Sequence, residues 1–233
     1  MKTENSIELC KAVANSTGGA CLLMFSKGKD AIASWLQLRR FFDRIVPIWF
    51  YLHPSMKFEL DAIKYYEDFF ETKIVRMPHP IVYRWINNLT FQPNRNRDLP
   101  EELQLPNFTY LDAMAAVIED YELPIATQAA LGVRSCDSIV RRISINKLGA
   151  WNKKKSQFFP VYDWNVARIR EEFQACGVKL PIDYKWFGRS FDGIDRRFTE
   201  PLKKYAPDDF AKLVELYPLL EADIKRYEYA GIK

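Results

Sequence analysis

An apolar run that ends abruptly in a short basic turn constrains this chain more than any other feature of its sequence. Residues 21–25 are apolar, the turn reads Ser26-Lys27-Gly28-Lys29-Asp30, and residues 32–42 have the spacing of an amphipathic helix. This order predicts a buried strand, a tight turn and a helix. The first N–H groups of a helix lack partners and lie at the positive end of its dipole. The turn therefore predicts a site for an anion such as phosphate.

Four residues of the turn have chemistry that suits a phosphate group. Gly28 allows the backbone to approach a ligand closely, and Ser26 offers a hydroxyl. Lys27 and Lys29 add positive charge. The turn lacks the spacing of a Walker A loop and that of the G-x-G-x-x-G dinucleotide fingerprint.

The turn resembles the PP-loop, S-G-G-x-D-S, of ATP pyrophosphatases and phosphoadenylyl-sulfate (PAPS) reductases. Ser26, Gly28 and Asp30 match that pattern, whereas Lys27 replaces its first glycine and Ala31 its last serine. The alternative interpretation is an ordinary Lys/Gly turn before a helix.

A second block also resembles this family. Gly132-Val133-Arg134-Ser135-Cys136-Asp137-Ser138, with Arg141 and Arg142 after it, is similar to the family's G-[VI]-R-x-x-[ED]-S…R pattern. The block follows the apolar residues 129–131, so its cationic groups are predicted where a strand ends, and open α/β sheets bind ligands there. The guanidinium of Arg134 is expected to hold a phosphate through two hydrogen bonds.

A third block, residues 159–165, resembles the family's P-[LI]-x-D-W-[TN] entry into a late helix. Asp163 is expected to cap a helix over residues 164–176, and Gly177 to end it. Three blocks in this order identify the chain as similar to the PAPS reductase-like family within the PP-loop superfamily.

Strands alternating with a helix predict parallel βαβ units. The strands are expected at residues 20–25, 45–52, 73–77 and 128–133, with a helix at 57–70. Thr109 and Asp112 predict a capping box that opens a helix to about Tyr121. The predicted fold is α/β, a Rossmann-like parallel sheet flanked by helices with a small C-terminal helical cap.

Two segments are expected: a nucleotide-binding α/β domain at 1–177 and a helical extension at 178–233. Prolines in the extension separate helices predicted at 194–205, 208–217 and 219–229.

Composition agrees with a chain that buries a full core. The chain has 233 residues, 48% of them hydrophobic, and a net charge of +4, which is mild. It contains no apolar stretch of 18 residues, and residues 1–16 are polar and mixed, so a soluble, cytoplasmic protein without a membrane segment is predicted. The lysines of residues 153–155 are interpreted as a solvated run, with contact to nucleic acid as the alternative.

Cysteine and histidine usage predicts no metal centre. The four cysteines are scattered without a C-x-x-C pair, and the two histidines lie far from any carboxylate cluster. Cys21 is expected in the core. Cys136 is the exception kept open as a reactive thiol, because it lies near a predicted helix start.

The resemblance implies a nucleotide reaction, and the cysteines suggest which one. Reductases of the family attack PAPS with a thiolate on a C-terminal E-C-G-x-[HL] segment, whereas here residues 228–233 read Glu-Tyr-Ala-Gly-Ile-Lys and no cysteine follows Cys176. We therefore expect a nucleotide-binding protein that cleaves ATP between its α- and β-phosphates in a nucleotidyl- or sulfur-transfer reaction. ATP or PAPS is the expected ligand, with Mg²⁺ accompanying ATP.

The expected site joins the first two blocks. Lys29 and Arg134 are the predicted catalytic residues, and Asp30 is expected to order the loop or meet Mg²⁺ through water. The predicted phosphate-binding set is Ser26, Lys27, Gly28, Lys29, Asp30, Gly132, Arg134, Arg141 and Arg142. Arg189 is expected either to reach a substrate anion or to form a structural salt bridge.

Two alternatives to an ATP-cleaving enzyme stay open. One is a catalytically inactive nucleotide-binding module in a nucleic-acid-associated complex with a protein partner, which Ala31 favours. The other is a PAPS reductase that uses Cys136.

Overall fold

A six-stranded sheet forms the centre of the protein, whose computed structural model describes residues 5–230 apart from the side chain of Glu228. The strands are β1 Ala20–Met24, β2 Arg44–Tyr51, β3 Val75–Pro78, β4 Gln128–Leu131, β5 Trp151–Asn152 and β6 Gln157–Phe158. Their order across the sheet is β3-β2-β1-β4-β6-β5. Five strands are parallel, and β5 runs antiparallel to β6 at one edge. The predicted α/β fold with a mostly parallel sheet is confirmed.

Helices cover both faces of the sheet. They are α1 Ser6–Ser16, α2 Lys29–Leu38, α3 Lys57–Phe70, α4 Pro80–Asn87, α5 Leu99–Leu103, α6 Tyr110–Asp120, α7 Ile139–Leu148, α8 Val166–Cys176, α9 Asp183–Phe187, α10 Arg196–Tyr205, α11 Pro207–Leu216 and α12 Leu220–Ala230. None of those helices is long and apolar enough to cross a membrane.

The central strand β1 is buried on both sides because its side chains alternate between two cores. Cys21 and Leu23 pack into a core that also contains Trp35 of α2 and Tyr66 of α3. Their neighbours in the strand, such as Leu22, pack with residues of α6 on the opposite face. The prediction that Cys21 is a core residue is confirmed, since its side chain is fully buried.

The helices after Gly177 build a second core with residues of the segment that follows β2. Phe198, Leu213 and Tyr217 pack there with Met56, next to residues of α4 such as Val82. The three C-terminal helices lie within two residues of their predicted bounds. The division into segments at residue 177 stays a prediction.

Two local predictions have opposite outcomes. The capping box is confirmed, because Thr109 and Asp112 make both of its reciprocal hydrogen bonds. The expected role of Asp163 is wrong: Asn165 caps α8, and the Asp163 carboxylate accepts a hydrogen bond at 3.0 Å from the backbone N–H of Ser6. A carboxylate near the start of a helix is stabilised by the helix dipole. Here the carboxylate lies at the start of α1, a helix that was not predicted from the sequence.

Candidate functional site

The two blocks that carry most of the resemblance lie at the point where the connections of the sheet diverge. The chain leaves β1 toward β2 on one side, whereas β4 pairs with β1 on the other side. In open α/β sheets, loops that leave neighbouring strands in opposite directions open a crevice at the carboxyl ends. Residues 26–30 follow β1 and residues 132–137 follow β4, so both blocks border this crevice.

A cavity of about 330 Å³ occupies the same edge of the sheet. Its walls are mainly aromatic and apolar, with Ser26 and Glu59 among the polar exceptions. The lining residues are Met24, Phe25, Ser26, Trp49, Phe50, Leu52, Glu59, His79, Tyr110, Leu131, Gln157, Phe191 and Asp192. A concave, largely apolar site with a few polar groups is typical of small-molecule binding.

His79 and Tyr110 form a fixed pair in the cavity wall. The Nδ1 atom of His79 accepts a hydrogen bond from the Ile81 N–H at 3.0 Å, and Nε2 lies 2.8 Å from the Tyr110 hydroxyl. Burial, assisted by the charge of Arg84, lowers the pKa of His79 to about 4, so the ring is neutral at neutral pH. Because Nδ1 accepts, the single ring proton lies on Nε2 and is donated to Tyr110. Sequence reasoning gave neither residue a role in binding.

The turn after β1 differs in detail from the one expected. The left-handed residue is Lys27, with φ of 59°, whereas Gly28 has φ of −70° and caps α2. The side chain of Ser26 is exposed at the cavity. The backbone N–H of Lys29 donates to the Tyr184 hydroxyl at 2.8 Å. Tyr184, which no sequence signal marked, therefore sits at the start of α2, where an anion was expected.

The side chain of Lys27 turns away from solvent into a group of buried charges. Its ammonium lies 2.6 Å from Glu59 Oε1 and 3.2 Å from Asp183 Oδ2, and all three side chains are at most 2% exposed. Burial opposes the charge of Lys27, but the carboxylates of Glu59 and Asp183 raise the pKa of its ammonium overall. Lys27 thus ties the loop to α3 and α9, which differs from the expectation of a free cation facing phosphate.

Arg134 is likewise enclosed by carboxylates. Its Nε lies 2.7 Å from Asp30 Oδ1 and its terminal nitrogen 2.6 Å from Asp137 Oδ1, while its side chain is 3% exposed. Two cations extend the group to the surface: Lys29 pairs with Asp30 at 3.1 Å and Arg141 with Asp137 at 3.0 Å. The guanidinium that was expected to hold phosphate instead joins the two loops.

Gly132 lets those loops approach each other. A Cβ atom at this position would lie 2.7 Å from the backbone nitrogen of Ala31 and 2.9 Å from the carbonyl oxygen of Asp30. Real Cβ atoms essentially never come so close to backbone, so the contact requires glycine. The glycines of the two blocks thus have different structural roles. Gly132 permits the close contact between the loops, and Gly28 is the N-cap of α2.

The remaining predicted residues lie at the surface. Arg141 is half exposed and Arg142 is exposed on the first turns of α7. Arg189 forms an ion pair with Asp192, a residue of the cavity wall. Cys136 is an exposed free thiol whose Sγ lies 3.4 Å from the carbonyl oxygen of Trp164.

The expected meeting of Asp30 with Mg²⁺ does not fit its surroundings. Asp30 Oδ1 contacts Arg134 and Oδ2 contacts Lys29. A carboxylate whose two oxygens already face cations is a poor ligand for a further cation. Within residues 5–230, no group of three or more histidine, cysteine or acidic side chains is arranged to hold a metal ion.

Comparison with known proteins finds solved structures that are similar to this chain but no family to which it can be assigned. No protein-family model matches the chain, and no curated protein matches it. A solved NH3-dependent NAD synthetase from Campylobacter jejuni is 11% identical, with 98% of this chain and 94% of that chain covered and a TM-score of 0.47. The U34-tRNA thiolase NcsA from Methanococcus maripaludis is 14% identical over 93% of this chain and 79% of that chain, with a TM-score of 0.44. Function must therefore be inferred from this chain's own residues.

Proposed function

We propose that this protein binds an adenine nucleotide at the carboxyl edge of its sheet. The observation that carries the proposal is the position of both resembling blocks at the crevice between β1 and β4, beside the cavity. The nucleoside occupies the cavity, and the phosphates extend past Ser26 toward the exposed cations. Lys29, Arg141 and Arg142 neutralise phosphate charge in this arrangement.

Lys27 and Arg134 act as positioning residues in the same proposal. Lys27 contacts Glu59 of α3 and Asp183 of α9, whereas Arg134 contacts Asp137 of its own loop and Asp30 of the loop after β1. Lys27 fixes the loop after β1 on α3 and α9, and Arg134 links that loop to the loop after β4, so that the cations at the surface keep their places. Gly132 contributes through the same contact between loops.

Tyr184 adds a polar group at the start of α2. Because its oxygen accepts from the Lys29 N–H, its own O–H proton is free to be donated to a phosphate oxygen. Burial raises the pKa of this hydroxyl, which keeps the proton in place at neutral pH.

The reaction that this arrangement supports is cleavage of ATP between its α- and β-phosphates, as in PAPS reductase-like proteins that transfer nucleotidyl groups or sulfur. The acceptor atom forms a bond to the α-phosphorus while the bond from that phosphorus to the bridging oxygen breaks. Pyrophosphate leaves with the electron pair, and the acceptor's proton passes to solvent. Positioning and neutralisation of charge are the main demands of such a step. No step is assigned to Mg²⁺, because both oxygens of Asp30 already contact cations.

Thermal unfolding with ATP or PAPS tests the binding proposal. At a ligand concentration of about 100 times Kd, the stabilisation is about 2.7 kcal/mol, which for a chain of this length raises Tm by about 5–11 °C. Lys29→Ala is expected to reduce the shift strongly, whereas Lys64→Ala, an exposed lysine on α3, should leave it unchanged. The absence of a shift with either nucleotide at millimolar concentration would refute the proposal.

A reductase is the second candidate, favoured by the exposed thiol of Cys136 two residues after Arg134. Sulfite release from PAPS with a thioredoxin system separates the two candidates. We expect none, and we expect pyrophosphate release from ATP with a suitable acceptor. Sulfite release that disappears in Cys136→Ser would establish the reductase instead.

A further inference from the structure

Glu59 stands out among the buried groups because only one of its two carboxylate oxygens contacts a partner among the residues that the structure describes. Its Oε1 atom contacts Lys27 at 2.6 Å, but its Oε2 atom is buried and has no hydrogen-bond partner among residues 5–230. Asp183, the second carboxylate that contacts Lys27, shows the same difference between its two oxygens. Its Oδ2 atom accepts hydrogen bonds from Lys27 and from the Phe191 N–H, whereas its Oδ1 atom has no partner in the described part of the chain. A buried acceptor left without a donor is destabilising, so each such atom calls for an explanation.

Charge counting shows what kind of partner this group lacks. Two carboxylates share one ammonium, so the group carries one excess negative charge when both carboxylates are ionised. Burial, with the nearby charges of Asp183 and Asp209, outweighs Lys27 and raises the pKa of Glu59. An anionic ligand group would be repelled here, whereas a hydroxyl or amino donor would be stabilised.

Glu59 lies where a bound ligand could supply this hydrogen-bond donor. Glu59 belongs to the cavity wall, which otherwise consists mostly of apolar and aromatic side chains such as Phe25, Trp49 and Phe191. Ser26, the first residue of the turn after β1, lies in the same wall. A nucleotide that directs its phosphates toward the loop therefore presents its uncharged nucleoside to the carboxylate.

We infer that Glu59 is a specificity-determining residue that accepts a hydrogen bond from a hydroxyl or amino group of the bound nucleoside. The inference rests on the proposed function and goes beyond it, because it states which ligand groups are read and by which atom. Ribose hydroxyls and the adenine amino group are the two sources of such a donor. Lys27 holds Oε1, which leaves Oε2 as the atom that binds the ligand.

Nucleotide analogues test this without altering the protein. Binding of ATP is compared by calorimetry with binding of 2′-deoxyATP and 3′-deoxyATP, which each lack one ribose hydroxyl, and of ITP, which lacks the amino group. We expect at least one analogue to bind about 10- to 100-fold more weakly than ATP, as for a lost hydrogen bond to a charged group. The analogue that loses affinity identifies the donor.

Glu59→Gln then assigns the effect to this residue. The variant keeps the shape of the side chain and removes the excess charge, and its affinities for ATP and for the discriminated analogue should differ by less than about threefold. Glu67→Gln is the matched control, since Glu67 is a buried glutamate two turns later on α3 and is absent from the cavity lining. Its discrimination should equal that of the wild type.

The outcomes separate this inference from the proposed function. ATP binding matched within threefold by all three analogues would overturn the inference alone. Discrimination that survives in Glu59→Gln would overturn it as well, because another group would then read the ligand. A protein that binds neither ATP nor any analogue would refute the proposed function and the inference with it.

Discussion

The side chain of Lys27 points in a different direction from the one that the motif predicts. A lysine in a glycine-like turn predicts a cation that faces phosphate, yet the side chain points into the protein and contacts Glu59 and Asp183. The two contacts lie 32 and 156 residues away in sequence. No local pattern reports such partners, so the direction of this side chain required the structure.

Replacing Lys27 tests the energetic role of the buried charges. Lys27→Met keeps most of the side-chain volume but leaves two buried carboxylates without a cation, and breaking a buried pair in this way costs about 3–5 kcal/mol. We expect urea unfolding to show a loss of free energy of that size. Lys64→Met, which removes an exposed i,i+4 pair with Asp68, should change the free energy little. Equal effects of the two substitutions would contradict a structural role for the buried group.

At the scale of elements, α2 and the loop after β4 behave as one unit. The contact of Gly132 with the backbone of Asp30 and Ala31 joins them, and the ion pairs of Arg134 reinforce the contact. These contacts place the two resembling blocks side by side at the crevice.

Gly132→Ala is the corresponding test. The added methyl group would lie 2.7 Å from the Ala31 nitrogen, so the loop must move and the free energy of unfolding should fall by about 1–3 kcal/mol. Nucleotide affinity should fall with it. Gly193→Ala is the control, because its nearest neighbour would be 3.4 Å away. If Gly132→Ala unfolds at the same urea concentration as the wild type, the two loops do not depend on this contact.

The elements themselves were largely predictable from the sequence. Apolar runs and helical spacing predicted β1 to β4 and α3, and Gly177 predicted the end of α8. The strands β5 and β6 were missed because two residues are too short to show a period. α1 was missed because residues 1–16 were interpreted as polar and mixed, although Leu9, Cys10, Val13 and Ala14 have helical spacing and are buried. The aromatic residues of the cavity were missed for another reason: they come from distant parts of the chain, such as β2, α6 and the segment around Phe191, and only the fold brings them together.

At the scale of the whole molecule, the segment after Gly177 packs against the loop that was expected to hold phosphate. Asp183 contacts Lys27, the Tyr184 hydroxyl accepts from the Lys29 N–H, and a Cβ at Gly28 would lie 3.3 Å from Ser190 Oγ. Phe191 and Asp192 then contribute to the cavity wall. A ligand bound here would contact both the sheet and the C-terminal segment.

Hydrogen exchange with and without ATP tests that connection. A nucleotide that contacts both parts should slow amide exchange in residues 26–31 and also in residues 183–192, because each then opens less often. The end of α6, which lies outside the cavity lining, should exchange at an unchanged rate. Protection confined to the loops after β1 and β4 would mean that the C-terminal segment takes no part in binding.

The two edges of the sheet have a consequence for how the protein behaves at high concentration. An unpaired strand edge invites pairing with another molecule, and natural proteins discourage this with short edge strands and lysines. β5 is two residues long and leads directly into the exposed lysines of Lys153–Lys155, while the opposite edge strand, β3, ends at Pro78. Another molecule adding a strand beside β5 would bring its own backbone close to these charged side chains. The lysine run therefore disfavours pairing of a second copy at this edge.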